Sequence, residues 1–148
     1  MEAVSRPVTA ELPIGSDADL SRVRQRVRQA ATDLGFGLAQ QTKVVTAASE
    51  LARNTLVHGG GGLMEMTSLD DGHRRGLRLS FVDHGPGIRD VELALTDGYT
   101  SGGGLGLGLG GARRLMQHFT IDTTPGQGTT VTVEAWEQGV PTARRGTP

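Results

Sequence analysis

The chain has 148 residues, with 15 basic and 16 acidic side chains, a formal net charge of −1 and no cysteine. That length suggests one domain with a core of its own. The balanced charge argues against a nucleic-acid binder built on a broad basic surface, and the missing cysteines exclude disulfide or thiolate chemistry.

In chain order, "PVTAELPI" (7–14) predicts a short strand ended by Gly15. Ser16 and Asp17 are good helix caps, and Leu20, Val23, Val27, Ala31 and Leu34 follow along one face, so an amphipathic helix runs to about Gly35. A second helix, "LAQQTKVVTAASELARNTLVH" (38–58), is stopped by "GGGG". "LMEMTSL" and "LRLSFVD" read as strands joined by a turn containing Asp-Gly. A short helical piece in "IRDVELALTDG", a third helix in "LGGARRLMQHF" and the hairpin "FTIDTT"–"PGQG"–"TTVTVEAW" complete the order β-α-α-β-β-(α)-α-β-β. Hairpins of this kind predict an α+β fold, a two-layer sandwich with helices on one face of a mostly antiparallel sheet. Residues 1–137 form the expected domain and 138–148, "QGVPTARRGTP", a flexible tail. The N-terminus lacks the basic start and apolar run of a signal peptide, and no stretch approaches a membrane span. A cytoplasmic protein is expected.

Glycine is abundant, 23 residues against 3% aromatics, and concentrates in "GYTSGGGLGLGLGGARR" (98–114). The chain's single lysine, Lys43, lies within a helix, so the stretch is no P-loop. "GLGLGG" satisfies G-x-G-x-x-G but follows no apolar strand, which removes the dinucleotide reading. No H-R-D or D-F-G element accompanies it either. Two readings stand: a flexible linker, or a lid whose N–H groups turn toward phosphate oxygens ahead of a helix N-terminus. The patterned flanks favour the lid.

Three further places carry chemistry. Glu50, Asn54 and His58 are spaced by four, so they share one helix face, either a solvated stripe or part of a site. Leu77, Leu79 and Phe81 alternate on one strand face and Asp83 continues their parity, delivering a carboxylate toward the buried side where "GPG" ends the strand. Asp83 either caps local N–H groups or accepts a hydrogen bond from a ligand's amino group. Thr129, Val131, Val133 and Ala135 share a face after the "PGQG" turn, so Thr129 can place a hydroxyl near the same pocket or belong to a plain hairpin.

The ordered set "ELARNTLVH", "DHGPG", "GGGLGLGLG" and "GQGTT" resembles the four nucleotide-binding boxes of the GHKL (Bergerat-fold) ATP-binding superfamily, across nearly the whole chain. "LGFG", "SELARN", "DGYTSGGGLG" and "RRLMQHF" look similar to the switch-type serine/threonine kinases of bacterial stressosomes (RsbT-like), relatives of anti-sigma-factor kinases. The resemblance implies ATP and Mg2+ as cofactors. It implies Asn54 as the metal-coordinating amide, Glu50 as general base and Asp83 as acceptor for the adenine amino group. Gly85 and Gly87 would admit the purine, Gly102, Gly104, Gly106 and Gly108 would form the lid over the phosphates, and Thr129 would add a polar contact near adenine. His58 sits where relatives vary; it either reaches phosphate or metal-bound water or does not. Arg53 either meets a partner or is solvated, and Arg113 and Arg114, at the start of the post-lid helix, either reach phosphate or are surface charge. His73, His84 and His118 show no metal-ligand pairing.

The implied function is a protein kinase acting on STAS-domain proteins and activating a PP2C-type phosphatase, with no nucleic-acid or membrane partner. An anti-sigma factor kinase that binds a sigma factor shares every box. A non-catalytic nucleotide-gated module is the third reading, which the intact Glu50 and Asn54 oppose.

Overall fold

In the computed structural model, residues 9–96 and 108–138 are described. Strand β1 (Thr9–Ile14) leads into helices α1 (Asp17–Asp33) and α2 (Leu38–Val57). Strands β2 (Gly62–Asp70) and β3 (Arg75–Asp83) follow, then one turn of helix α3 (Val91–Ala94), helix α4 (Gly108–Leu115), and strands β4 (His118–Thr124) and β5 (Gly128–Trp136).

Local chemistry explains the boundaries. Ser16 caps α1, its Oγ accepting from the Asp19 N–H at 3.3 Å, and Asp17 and Asp19 place negative charge in the first turn, where the helix dipole favours it. The Asp19 carboxylate accepts from the Gly15 N–H at 2.9 Å and from Arg22 at 2.6 Å. Those contacts, the Gly15 N–H above all, hold it below the usual carboxylate range. In the β2–β3 turn, Asp71 Oδ1 accepts from the N–H groups of Arg74 and His73, at 2.7 and 2.8 Å, which lowers its pKa likewise. Gly72 takes φ +89° there, a left-handed angle that glycine adopts without strain.

The strands form one sheet in the order β1-β2-β3-β5-β4, antiparallel at every pairing. Its inner face carries Met64, Met66, Leu77, Leu79, Phe81, Val131, Val133 and Ala135, all buried. Against it pack Leu20, Val23, Val27 and Ala31 of α1 and the alanine-rich face of α2. Small side chains at Ala47, Ala48 and Ala52 bring α2 close to the strands, and the buried Thr55 hydroxyl is satisfied by donating to Leu51 O at 3.0 Å. Each fully buried side chain such as Leu79 or Phe81 contributes about 1.5–3 kcal/mol through removal from water. The expected two-layer α+β architecture is the one observed.

The third helix departs from expectation. It stops at Leu115 rather than reaching Phe119, because His118 and the residues after it pair with β5, His118 opposite Glu134. From there the period is two, and Phe119 and Ile121 turn toward the core. Arg113 and Arg114 therefore occupy the last turn of α4, not its start, where positive charge suits the carbonyl end of the helix. Among the described residues no helix is long and apolar enough to cross a membrane.

Candidate functional site

Strand register assembles the site. At one end of the sheet, Gly62 lies opposite Asp83, Asp83 opposite Thr129, and Thr129 opposite Thr123, so one row across four strands holds two of the expected residues side by side. Asp83 keeps the parity of Leu77, Leu79 and Phe81 but is half-buried, since the core ends beneath it. Its Oδ1 accepts from the Gly85 N–H at 2.9 Å. The carboxylate thus caps the turn, as one sequence reading held, while Oδ2 has no donor among the described residues.

Thr129 is buried, and its hydroxyl lies 2.9 Å from that of Thr123. Thr123 Oγ1 also accepts from the Ile88 N–H at 2.9 Å and donates to Gly128 O at 3.2 Å. Either hydroxyl can donate in the Thr123–Thr129 bond, and in both cases Thr129 Oγ1 keeps a lone pair without a partner among the described residues.

Helix α2 supplies the second group. Glu50 and Asn54 are half-buried and His58 is exposed as the C-cap, and none of the three side chains has a hydrogen-bond partner among the described residues. Val45 marks the edge of α2 beside α1. Asn54, nine residues on, lies about 180° around the helix from it, so the Glu50–Asn54–His58 line is on the flank away from α1. α4 also packs against α2.

The two groups meet through glycine. Asn54 O accepts from the N–H groups of His58, at 2.9 Å, and Gly59, at 3.1 Å. Gly59 in turn lies against Asp83: a Cβ placed there would come 2.6 Å from Oδ2. A Cβ on Gly85 would lie 2.7 Å from Gly59 O, so neither position has room for a side chain. The end of α2 and the loop after β3 are therefore backbone to backbone. Gly87 and Gly128 close the other wall, both at left-handed φ (+77° and +111°), Gly87 against Thr124 and Gly128 against the Asp83 and His84 backbone. The Gly126 N–H donates to Pro86 O at 2.7 Å, tying the two loops together.

Of the sequence-derived residues, Asn54, Asp83, Gly85, Gly87 and Thr129 come to this one end of the molecule, with Glu50 one turn before Asn54 on the same line. Gly102, Gly104 and Gly106 lie outside the described residues. Gly108 opens α4 at φ +65°. Arg53, Arg113 and Arg114 are exposed. The sequence reading missed Gly59, Gly128 and Thr123. It took "GGGG" only as a helix stop, and it placed Gly128 within the "GQGTT" box without assigning it a role; the parity of "FTIDTT", which sets Thr123 in phase with Ile121, was the available signal for the third.

The arrangement fits a purine triphosphate with magnesium. Among the described residues Asp83 Oδ2 is an unused acceptor beside a cradle of glycines that a Cβ would fill, and the Asn54 amide is unengaged one turn from the cradle's wall. Among the described residues no three His, Cys, Asp or Glu side chains gather to hold an ion, and an Mg2+ held by the Asn54 amide would draw further oxygens from phosphate and water, as that ion prefers.

The fold and these boxes define a class. Residues 15–135 match the histidine kinase-like ATPase domain, and the chain belongs to that family, within the GHKL superfamily. Among curated proteins it is similar to the serine/threonine-protein kinase RsbT of Bacillus subtilis (strain 168), 38% identical over 123 residues covering 83% of this chain and 92% of the relative. It also resembles the anti-sigma F factor of Thermoanaerobacter sp. (strain X514), 26% identical over 75% of this chain and 80% of that protein. Among solved structures, the RsbU and RsbW domains of a Mycobacterium tuberculosis protein superpose with a TM-score of 0.60 at 21% identity, over 90% of this chain. This chain spans 33% of that one, and the likeness bears on the fold.

Proposed function

We propose that the chain is an ATP- and Mg2+-dependent protein serine/threonine kinase of a bacterial partner-switching, stressosome-type pathway. It phosphorylates STAS-domain proteins, activates a PP2C-type phosphatase and works in the cytoplasm. The observation that carries the reading is the junction at Gly59, which sets the α2 end bearing Asn54 directly against Asp83. The 38% identity to a serine/threonine-protein kinase supports the choice of activity.

Phosphoryl transfer asks a protein mainly for positioning and charge stabilisation. Asp83 Oδ2 accepts from the adenine amino group, Gly85 and Gly87 admit the ring, and Thr129 offers a lone pair beside it. Asn54 holds the metal, which when bound neutralises phosphate charge. Gly102, Gly104, Gly106 and Gly108 are assigned to phosphate binding on their place in the glycine-rich box. Glu50, on the same helix face and without a partner among the described residues, accepts the proton of the acceptor hydroxyl. Residues 1–137 are the kinase domain, and 138–148 is a tail outside it.

A second reading is favoured by the similarity to the anti-sigma F factors: a kinase that also holds a sigma factor, using the same site. The deciding experiment incubates the protein with labelled Mg-ATP and a STAS-domain protein and maps the modified residue. Label on serine or threonine supports the kinase reading, no transfer sinks it, and co-purification with a sigma factor moves the protein to the second.

A further inference from the structure

On the flank away from Asn54, α1 and α2 bound an open groove of about 460 Å3. It is lined by Arg24, Gln25, Arg28, Gln29 and Thr32 of α1 and Val45 of α2. Among the described residues no carboxylate is in its lining, although Asp33 Oδ1 accepts from the lining Gln29 at 2.9 Å. Arg24 and Arg28 are one turn apart, so two like charges sit together on the helix surface, an arrangement that disfavours the helix when nothing neutralises it. Arg24 donates to the neutral Ser21 Oγ at 3.0 Å, and the Arg28 guanidinium has no partner among the described residues. By contrast Arg22, which does not line the groove, is paired with Asp19 at 2.6 Å. Seven residues before Val45, on the same edge of α2, Leu38 is 75% exposed.

We infer that this groove docks an acidic, leucine-bearing segment of a protein partner. The Arg24 and Arg28 forks match carboxylates in a bidentate way that lysine would not. Gln25 can both donate and accept, while Gln29 donates to Asp33 Oδ1 and Thr32 to Arg28 O, both at 2.9 Å, which leaves their oxygens as acceptors for the backbone of a bound peptide. Leu38, about two turns further along the same edge of α2, supplies an exposed apolar surface beyond the groove for a leucine side chain. A nucleic acid is a poor occupant, because the molecule as a whole carries a net charge of −1.

The inference does not depend on the kinase reading, since the groove and the nucleotide site are on opposite edges of α2. The test is fluorescence anisotropy of a short fluorescein-labelled peptide of Glu, Asp and Leu, with a version carrying Lys in place of the acids as control. The full chain should bind the acidic peptide, more weakly as salt rises, and not the control. Arg24→Glu with Arg28→Glu should weaken binding roughly tenfold or more, and the milder Arg24→Gln with Arg28→Gln should give an intermediate loss. The Mg-ATP-induced rise in melting temperature, read on the same samples, should be unchanged and shows that the variants are folded. Absence of binding to the unaltered chain, or equal binding to the double charge reversal, overturns the docking site.

Discussion

The two ends of β3 were built for opposite purposes. At its Arg75 end almost every polar atom is spoken for. The Gln40 side chain donates to Trp136 O at 2.6 Å, the Trp136 N–H donates to Gln117 Oε1, and Arg75 Nη2 donates to Leu34 O at 2.9 Å. The Arg75 N–H donates to Glu137 Oε1 at 2.9 Å, and the space over Gly76 is filled by the Trp136 ring. The Trp136 Nε1–H donates to Glu134 at 3.1 Å, and the Arg74 guanidinium lies 5.7 Å from the ring centre. At the Asp83 end, Glu50, Asn54, one Asp83 oxygen and a Thr129 lone pair have no partner among the described residues. The first end closes the fold. The second keeps acceptors and an amide in reserve, which is costly in an isolated protein and useful when a ligand satisfies them.

Substitutions can break or sharpen this contrast. The largest effect is expected at Glu50: Glu50→Gln should slow phosphoryl transfer by roughly 10²–10⁴-fold while leaving the nucleotide-induced thermal shift intact. A variant that transfers phosphate normally removes Glu50 as the base. Next, Asn54→Ala should erase most of the stabilisation by Mg-ATP, about 2.7 kcal/mol at a hundredfold excess over the dissociation constant. Calorimetric melting with and without ligand measures it, and an undiminished gain would put the metal elsewhere.

At the other end, Trp136→Ala should lower unfolding free energy by about 2–3 kcal/mol in urea titrations, yet preserve the increment from Mg-ATP. Loss of that increment would mean the two ends are coupled rather than separate. Deleting residues 139–148, beyond the last of these contacts, should change neither quantity. Any drop in the nucleotide shift would bring the tail into the site.

The smallest effect concerns acid stability. Asp19 and Asp71 titrate below the usual carboxylate range when folded. Their stabilisation is therefore present above the ordinary carboxylate pKa and is lost as pH falls through the depressed values. Asp19→Asn should narrow the stability gap between neutral and acid conditions, and a pH series of melting temperatures that stays parallel to the unaltered protein's would contradict the assignment.

Much of this was legible beforehand. Ser16 as a cap, the Leu20–Val23–Val27–Ala31 face and the alternation of Leu77, Leu79 and Phe81 are local patterns, set by the periods of helix and strand. Asp83 could be assigned an inward parity for the same reason. The end of α4 could not, because "LMQHF" supports either structure until β5 arrives to pair with His118.

By itself, then, the sequence determined the elements, their order, and four boxes whose residue types suit a nucleotide, because these depend on neighbours within a turn or two. Tertiary structure alone decided that Gly59 abuts Asp83, that Thr123 engages Thr129, and that Arg24 and Arg28 share a groove with Val45. Those contacts join segments far apart in the chain, and only the register of the sheet and the packing of α1 on α2 bring them within reach.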